Sequence, residues 1–154
     1  MTIAERLTAD MKTAMREQDA LRRDTLRMAI SAAEYAEKAA RRPLTDDDLI
    51  GVLTREVKTR REAVDAYEKA GRSDLAEKER LEAEILGGYL PAALSADELR
   101  ALVLATIDEA GATGPREMGK VMGLLTPRTR GRADGREVSS LVTAELARRA
   151  GGAA

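Results

Sequence analysis

Apolar residues recur at intervals of three and four along most of the chain, the spacing that places side chains on one face of an α-helix. The first such stretch follows a capping box, Thr2-Ile-Ala-Glu5, in which threonine and glutamate side chains satisfy free amides at a helix start. Its apolar side chains recur at every fourth residue: Ile3, Leu7, Met11 and Met15. The pattern predicts an amphipathic first helix in which this stripe is buried.

Turn-forming residues divide the rest of the chain into further helices. Breaks are predicted at Gln18-Asp19, Arg41-Arg42-Pro43, Gly71-Arg-Ser73 and Gly111. The strongest break is Gly87-Gly-Tyr-Leu-Pro91, in which Tyr89 is expected to be buried; a second capping box follows it at Ser95-Ala-Asp-Glu98. We therefore predict an all-α protein with an N-terminal helical hairpin or bundle domain over residues 1–90. A small three-helix domain is predicted over residues 91–150.

Several charged residues are predicted to lie on the solvent-facing sides of these helices. In the third helix, which Thr45 caps, Arg60 and Arg61 are expected to flank the apolar stripe. In the fourth helix, Asp74 is expected to cap the start. The acidic side chains expected on its wet face are Glu77, Glu79, Glu82 and Glu84. The methionines expected in the cores, with an adaptable partner surface as the alternative, are Met11, Met15, Met28, Met118 and Met122.

Two apolar helices are predicted on either side of an arginine-rich loop near the C-terminus. The first is expected to end at Thr126-Pro127, because proline disfavours a helix at the residue before it. Gly119 and Gly123 are expected to let a neighbouring helix approach closely. The second helix is expected to begin at a third capping box, Asp134-Gly-Arg-Glu137, and to be frayed over residues 151–154.

The composition excludes several kinds of catalytic site. The chain has no cysteine and no histidine, so it has no thiolate nucleophile, no disulfide and no imidazole base or ligand. No serine lies in a nucleophile elbow, and no glycine-rich phosphate loop is present. We therefore predict no catalytic residue, no cofactor site and no metal site. Because neither a membrane-spanning apolar run nor a signal-peptide pattern is found, a cytoplasmic location without a membrane partner is expected.

Positive charge is concentrated in the arginine-rich loop. Residues 73–110 hold nine acidic and three basic residues, whereas residues 111–154 hold eight basic and four acidic ones. Between residues 116 and 136, six basic residues face only Glu117 and Asp134, which leaves a net charge of +4. Such a cluster beside a helix start is a candidate phosphate-binding site, and a solvated loop is the alternative.

We predict that this loop contacts the phosphates of folded RNA. The chain has three tyrosines but no Phe or Trp, so it lacks the aromatic platform on which single strands stack. The arginines alternate with Thr129 and Gly131, which is expected to leave backbone amides accessible to a ligand. The residues predicted to contact phosphate are Lys120, Arg128, Arg130, Arg132 and Arg136.

Two blocks of the sequence resemble a known family. Glu84-Ile-Leu-Gly-Gly-Tyr-Leu-Pro91, followed by Leu94-Ser-Ala-Asp-Glu-Leu99, resembles the domain junction of the YqeY family. Met118-Gly-Lys-Val-Met-Gly123 and Gly131-Arg-Ala-Asp-Gly-Arg-Glu-Val138 resemble that family's C-terminal block. The block is similar to the tail domain of GatB, the B subunit of the aspartyl/glutamyl-tRNA amidotransferase, although those tails tend to carry a lysine where this chain has Gly123.

The resemblance implies a helical C-terminal domain that binds tRNA, with an aminoacyl-tRNA synthetase or amidotransferase as a further partner. Three functions follow. The one we favour is a non-catalytic tRNA-binding or tRNA-metabolism accessory protein. The second is a protein-interaction adaptor without an RNA role, which would use the acidic 73–110 surface and the alanine-rich helix at 21–40. The third, which the resemblance also implies, is a component of a carbon–nitrogen ligase with glutamine as amido-N-donor.

Overall fold

A computed structural model describes residues 1–152 of the chain, and it contains seven α-helices, one 3-10 turn and no strand within those residues. The predicted all-α class is confirmed. The helices are α1 (Ile3–Arg16), α2 (Ala20–Ala40), α3 (Asp46–Lys69), α4 (Ser73–Gly87), α5 (Ala96–Ala110), α6 (Met118–Thr129) and α7 (Gly135–Gly152). The 3-10 turn, Pro115–Glu117, leads into α6. The chain divides into two compact units, Met1–Leu90 and Pro91–Ala154.

The helix starts follow the sequence signals closely. Thr2 and Ser95 each form the predicted capping box, and Thr45 forms another with Asp48. The start of α4 differs, because Arg72 occupies the cap position and makes no side-chain cap bond. Asp74, predicted to be that cap, instead accepts hydrogen bonds from the Arg72 guanidinium at 3.2 Å. A neighbouring arginine therefore holds the carboxylate that was expected to satisfy the first-turn amides.

The N-terminal unit buries one aliphatic core among its four helices. The buried members of this core are Ile3, Leu7, Leu26, Ala29, Leu49, Leu53, Val57, Ala83, Leu86 and Tyr89. The prediction that Tyr89 is buried is confirmed, and its hydroxyl donates to the Asp10 carboxylate on α1. Burial and this hydrogen bond raise the pKa of Tyr89 to about 12. The Arg6 guanidinium lies 5.0 Å from the ring centroid, a cation–π contact at the edge of the core.

The predicted stripe of α1 is wrong at its C-terminal end. Met15 is 50% exposed, whereas Ala14 is buried. An α-helix turns by about 100° per residue, so a four-residue repeat drifts by about 40° at each step. Met15 therefore lies about 120° around the helix from Ile3, whereas Ala14 lies about 20° from it. The helix therefore turns Ala14 toward the core and Met15 toward solvent.

Arg60 is buried in the apolar stripe of α3, which corrects the expectation that it flanks the stripe. Its residue exposure is 4%, and its Nε donates to Glu82 Oε2 at 3.1 Å. Its Nη1 donates to Glu56 Oε2 at 2.8 Å. Glu82 is itself only 8% exposed, so it is not on the wet face of α4 as predicted. A buried ion pair therefore joins α3 to α4 beside the aliphatic core.

The C-terminal unit has its own core, formed by α5, α6 and α7. The buried members are Leu99, Val103, Ile107, Ala110, Ala112, Val121, Leu125, Val138, Val142 and Leu146. The Leu94 N–H donates to the Arg132 carbonyl at 2.9 Å, so α5 and α7 begin at the same end of the unit. Arg149 Nη1 lies 2.7 Å from Asp108 Oδ1, so they also end together. Helices α5 and α7 therefore run in the same direction.

Helix α6 extends further than predicted. It continues through Pro127 to Thr129, although Thr126-Pro127 was expected to end it. Proline removes the hydrogen bond to the carbonyl four residues earlier, which here belongs to Gly123. Gly123 is exposed, so water can satisfy this carbonyl, and the Arg130 N–H restores the helical pattern by donating to the Thr126 carbonyl at 3.0 Å. At the other end of the unit, α7 continues through Gly152, and Ala153 and Ala154 lie outside the described residues.

We expect the C-terminal unit to fold on its own, because its core is composed of residues from that unit alone. Limited proteolysis should cut between residues 87 and 95 and release a fragment of about 60 residues, a length that can be marginally stable in isolation. Circular dichroism of the purified fragment should show cooperative loss of helix on heating. A fragment without helix would contradict the expectation.

Candidate nucleic-acid interface

The arginine-rich loop is a tight turn between α6 and α7. Gly131 takes a positive φ of 73°, which allows the chain to reverse where a side chain would be strained. The amides of Arg132 and Ala133 both donate to the Thr129 carbonyl, at 2.9 and 3.1 Å. Together with the Arg130 amide, which closes the last turn of α6, three loop amides are engaged inside the protein. The expectation of accessible amides is therefore wrong for these three, and a ligand here would mainly meet side chains.

Asp134 fixes the start of α7. Its Oδ1 accepts a hydrogen bond from the Arg136 N–H at 2.7 Å, and its carbonyl accepts from the Val138 N–H at 3.0 Å. Asp134 is therefore an N-cap, but the predicted capping box with Glu137 is not formed. Its side chain bonds the second amide of α7, whereas a capping box would bond the third, that of Glu137. The cap holds the first turn of α7, and with it Arg136, against the loop.

Replacing Asp134 by alanine should lower the free energy of unfolding by about 1 kcal/mol, because the Arg136 amide loses its acceptor. Urea denaturation of the full chain would measure this loss. Asp134→Asn should retain most of the stability, since an amide oxygen can also cap a helix. Equal unfolding midpoints for wild type and Asp134→Ala would contradict the capping role.

Arg128 is held by residues of α5. Its Nη1 and Nη2 donate to the two carboxylate oxygens of Glu109 at 2.7 and 3.0 Å, and Nη1 also lies 3.2 Å from Thr106 Oγ1. The hydrogen bond from Arg128 lowers the pKa of the Glu109 carboxyl, and the same bond raises the pKa of Arg128. Bidentate pairing of this kind fixes the guanidinium in one orientation. The charge of Arg128 is thus compensated within the unit.

Arg132 ties the loop to the segment that precedes α5. Its Nε donates to the Ala92 carbonyl at 3.0 Å, and its own carbonyl accepts from Leu94. The side chain is half-buried, but its bonded partner is a neutral carbonyl, so its positive charge is not cancelled. Arg132 therefore anchors the turn and also adds to the positive potential around it.

Arg130, Arg136 and Lys120 are exposed, and within residues 1–152 none of them has a carboxylate oxygen within 4.0 Å. Arg130 and Arg136 flank the turn, on either side of Arg132. Lys120 lies ten residues before Arg130 on α6, which corresponds to roughly 15 Å along the helix. The fold thus brings three of the five predicted residues to one turn, places Lys120 further along the outward face of α6, and pairs Arg128 with Glu109.

The two glycines of α6 do not pack closely against another helix. No atom lies within 4 Å of the position that a Cβ would occupy at Gly119 or Gly123, and both residues are exposed. The expectation that they admit a neighbouring helix is wrong. They leave the face of α6 beside Lys120 free of bulky side chains.

No group of three or more acidic, histidine or cysteine side chains with metal-binding geometry occurs among residues 1–152. Over the same residues, no helix is both long enough and apolar enough to cross a bilayer.

The fold and this turn define an all-helical protein whose C-terminal unit carries a cluster of arginines at the α6–α7 turn. A family model described as "Yqey-like protein" matches residues 4–146. The chain therefore belongs to the YqeY family, as the resemblance of its junction and C-terminal block predicted.

Curated relatives support this assignment. The chain is 31% identical over 136 residues to "Altered inheritance of mitochondria protein 41, mitochondrial" of Pyrenophora tritici-repentis, covering 85% of this chain and 73% of that protein. It is 37% identical over 89 residues to "Uncharacterized protein C22F3.15" of Schizosaccharomyces pombe, covering 58% of this chain and 69% of that protein. A relative in Eremothecium gossypii, with the same name as the first, is 34% identical over 110 residues, which are 70% of this chain and 60% of that protein. Two of the names include "mitochondrial", so they give no support to the expected cytoplasmic location, which stays a prediction.

Proposed function

We propose that this protein is a non-catalytic accessory protein that binds tRNA through the turn between α6 and α7. The observation that carries the proposal is the pair of exposed cations, Arg130 and Arg136, on a turn whose backbone is fixed on both sides. Arg132 and Asp134 supply that fixation through bonds of 3.0 and 2.7 Å. Cations held on a rigid turn meet phosphates with less loss of conformational freedom than cations on a mobile loop.

Lys120 extends the proposed surface along α6. A contact roughly 15 Å from Arg130 suits a ligand with several phosphates, such as a nucleic acid backbone, better than a small anion. Because three of the loop amides are engaged, recognition would rely mainly on side-chain contacts to phosphate, which orient a ligand without reading its bases. A tRNA-handling enzyme, such as an aminoacyl-tRNA synthetase or amidotransferase, would then supply the selection of a particular tRNA.

Arg128 has a different role in this proposal. Its guanidinium faces Glu109, so a phosphate would have to displace a bidentate carboxylate in order to bind there. We assign Arg128 to holding the end of α6 on α5, and we assign phosphate contact to Arg130, Arg136, Lys120 and the free donors of Arg132.

The salt dependence of tRNA binding tests the proposal. Three or four phosphate contacts should give a slope of about −2 to −3.5 in a plot of log affinity against log salt concentration. Fluorescence anisotropy of end-labelled tRNA with the purified full chain would measure the slope. Absence of binding at low salt, or an affinity that does not change with salt, would rule the proposal out.

A further inference from the structure

The outward face of α2 carries large apolar side chains in solvent. Tyr35 is 78% exposed and Met28 is 54% exposed, although Met28 was expected in the core. The Met28 sulfur lies 4.0 Å from Arg60 Nη2, so the outer end of the side chain lies over the buried arginine while more than half of the residue remains exposed. Methionine and tyrosine are enriched in the contact surfaces between proteins.

Charged residues accompany these two side chains in a regular order. Asp24, Ser31 and Lys38 are exposed and lie seven residues apart, so they form one line along the middle of the face. Met28 and Tyr35, also seven residues apart, lie on one side of this line. Arg27 and Glu34, again seven residues apart, are exposed on the other side of the line. Each line thus contains two side chains that can attract each other: opposite charges in two of the lines, and a sulfur and an aromatic ring in the third.

We propose that this face of α2 binds the same face of a second copy of the chain, antiparallel to it and with a two-fold axis near Ser31. An antiparallel two-fold keeps each side of the face against the same side of the other copy and reverses only the direction along the helix. Asp24, whose Oδ1 also accepts from Arg23 Nε at 2.8 Å in its own chain, then meets Lys38 of the second copy with its second oxygen, and Arg27 meets its Glu34. On the other side, Met28 meets Tyr35 of the second copy, a favourable sulfur–aromatic contact.

The positions of the paired residues along the axis of α2 agree with this arrangement. Asp24 and Lys38 are both seven residues from Ser31, so they come level across the axis. The midpoint between Arg27 and Glu34 falls half a residue before Ser31, and the midpoint between Met28 and Tyr35 falls half a residue after it. The members of each of these pairs are therefore offset by about 1.5 Å, which flexible side chains accommodate. Each contact occurs twice because the arrangement is symmetric.

A parallel pair of α2 helices lacks this complementarity. It would set Asp24 against Asp24 and Lys38 against Lys38 of the second copy. It would also bring the apolar side of one helix against the charged side of the other. Like charges opposed across an interface are unfavourable, so the order of charges selects the antiparallel arrangement.

A charge-exchange series tests the pairing of Arg27 with Glu34 of the second copy. The full chain should show a concentration-dependent monomer–dimer equilibrium in analytical ultracentrifugation. Arg27→Glu alone and Glu34→Arg alone should each weaken dimerisation about tenfold or more, because two attractions become two repulsions. The combined exchange should restore it. Residues 27 and 34 are about 10 Å apart within one helix, so restoration requires contact between copies.

A disulfide measurement supplies an independent test, since the chain has no cysteine of its own. Helices that pack 8–10 Å apart place residues on the facing line within disulfide range, so Ser31→Cys should form a covalent dimer under mild oxidation. Glu37→Cys, exposed on a different side of α2, should not. A chain that is monomeric at every concentration would overturn the proposal. So would a dimer insensitive to these substitutions, because its interface would lie elsewhere.

Discussion

Replacing Arg60 by alanine should lower the free energy of unfolding of the N-terminal unit by about 3–5 kcal/mol. The substitution leaves the Glu82 carboxylate, 8% exposed, without the guanidinium that bonds it at 3.1 Å. An unpaired buried charge is costly because the protein interior does not solvate it as water does. Single domains are stable by only about 5–15 kcal/mol, so much of the unit would unfold under mild conditions.

The paired substitution separates loss of the charge pair from loss of packing. Arg60→Met with Glu82→Leu removes both charges and keeps similar volumes, so most of the stability should return. Arg61→Ala is the control, since Arg61 is the exposed neighbour of Arg60 and should change stability by less than about 0.5 kcal/mol. Urea unfolding followed by circular dichroism gives each free energy. An Arg60→Ala protein as stable as Arg61→Ala would contradict the structural role of the pair.

Local signals predicted the helix boundaries well because they act over a few residues. The reciprocal bonds at Thr2 and Ser95 involve residues three apart, so the sequence alone specifies them. The left-handed glycine after α5, Gly111, is a local signal of the same kind. Asp74 fails because a second local partner, Arg72, competes for the same carboxylate.

Burial of a charged residue was harder to predict. Arg60 lies three residues after Val57 and four before Val64, the spacing of a single helix face, so its position indicated the core. Its charge suggested solvent instead. The decisive factor is Glu82, which lies 22 residues away in sequence and reaches Arg60 only when α3 packs against α4. A tertiary contact of this kind leaves no trace in local periodicity.

The candidate site was predictable as a cluster but not in its division of roles. The sequence alone showed that five basic residues cluster between residues 120 and 136, and the fold brings three of them to the turn. Glu109, 19 residues before Arg128, decides that Arg128 is paired, and the Ala92 carbonyl decides that Arg132 is anchored. The engagement of the loop amides was not predicted for the same reason, because the hydrogen bonds to the Thr129 carbonyl depend on how tightly the chain turns at Gly131.

Reversing the charges of Arg130 and Arg136 should nearly abolish tRNA binding. Arg130→Glu with Arg136→Glu removes two attractions to phosphate and adds two repulsions, so affinity at low salt should fall by about two orders of magnitude or more. The slope against salt should also become less steep, by about 1 for each lost contact. Both side chains are exposed, so the helical content should be unchanged.

A matched pair on α3 controls for net charge. Arg55→Glu with Arg61→Glu makes the same change in total charge at two exposed positions, neither of which has a carboxylate oxygen within 4.0 Å among residues 1–152. If binding depended only on the overall charge of the protein, the two double variants would lose affinity equally. If it depends on the turn, the α3 variant should stay within about threefold of wild type.

The affinity ratio of these two double variants for tRNA, measured by anisotropy at one low salt concentration, is the most direct test of the proposed function. The proposal predicts that the Arg130→Glu/Arg136→Glu variant binds at least about thirtyfold more weakly than the Arg55→Glu/Arg61→Glu variant, while both retain the wild-type circular dichroism spectrum. Equal affinities for the two folded variants would contradict a tRNA interface at the α6–α7 turn.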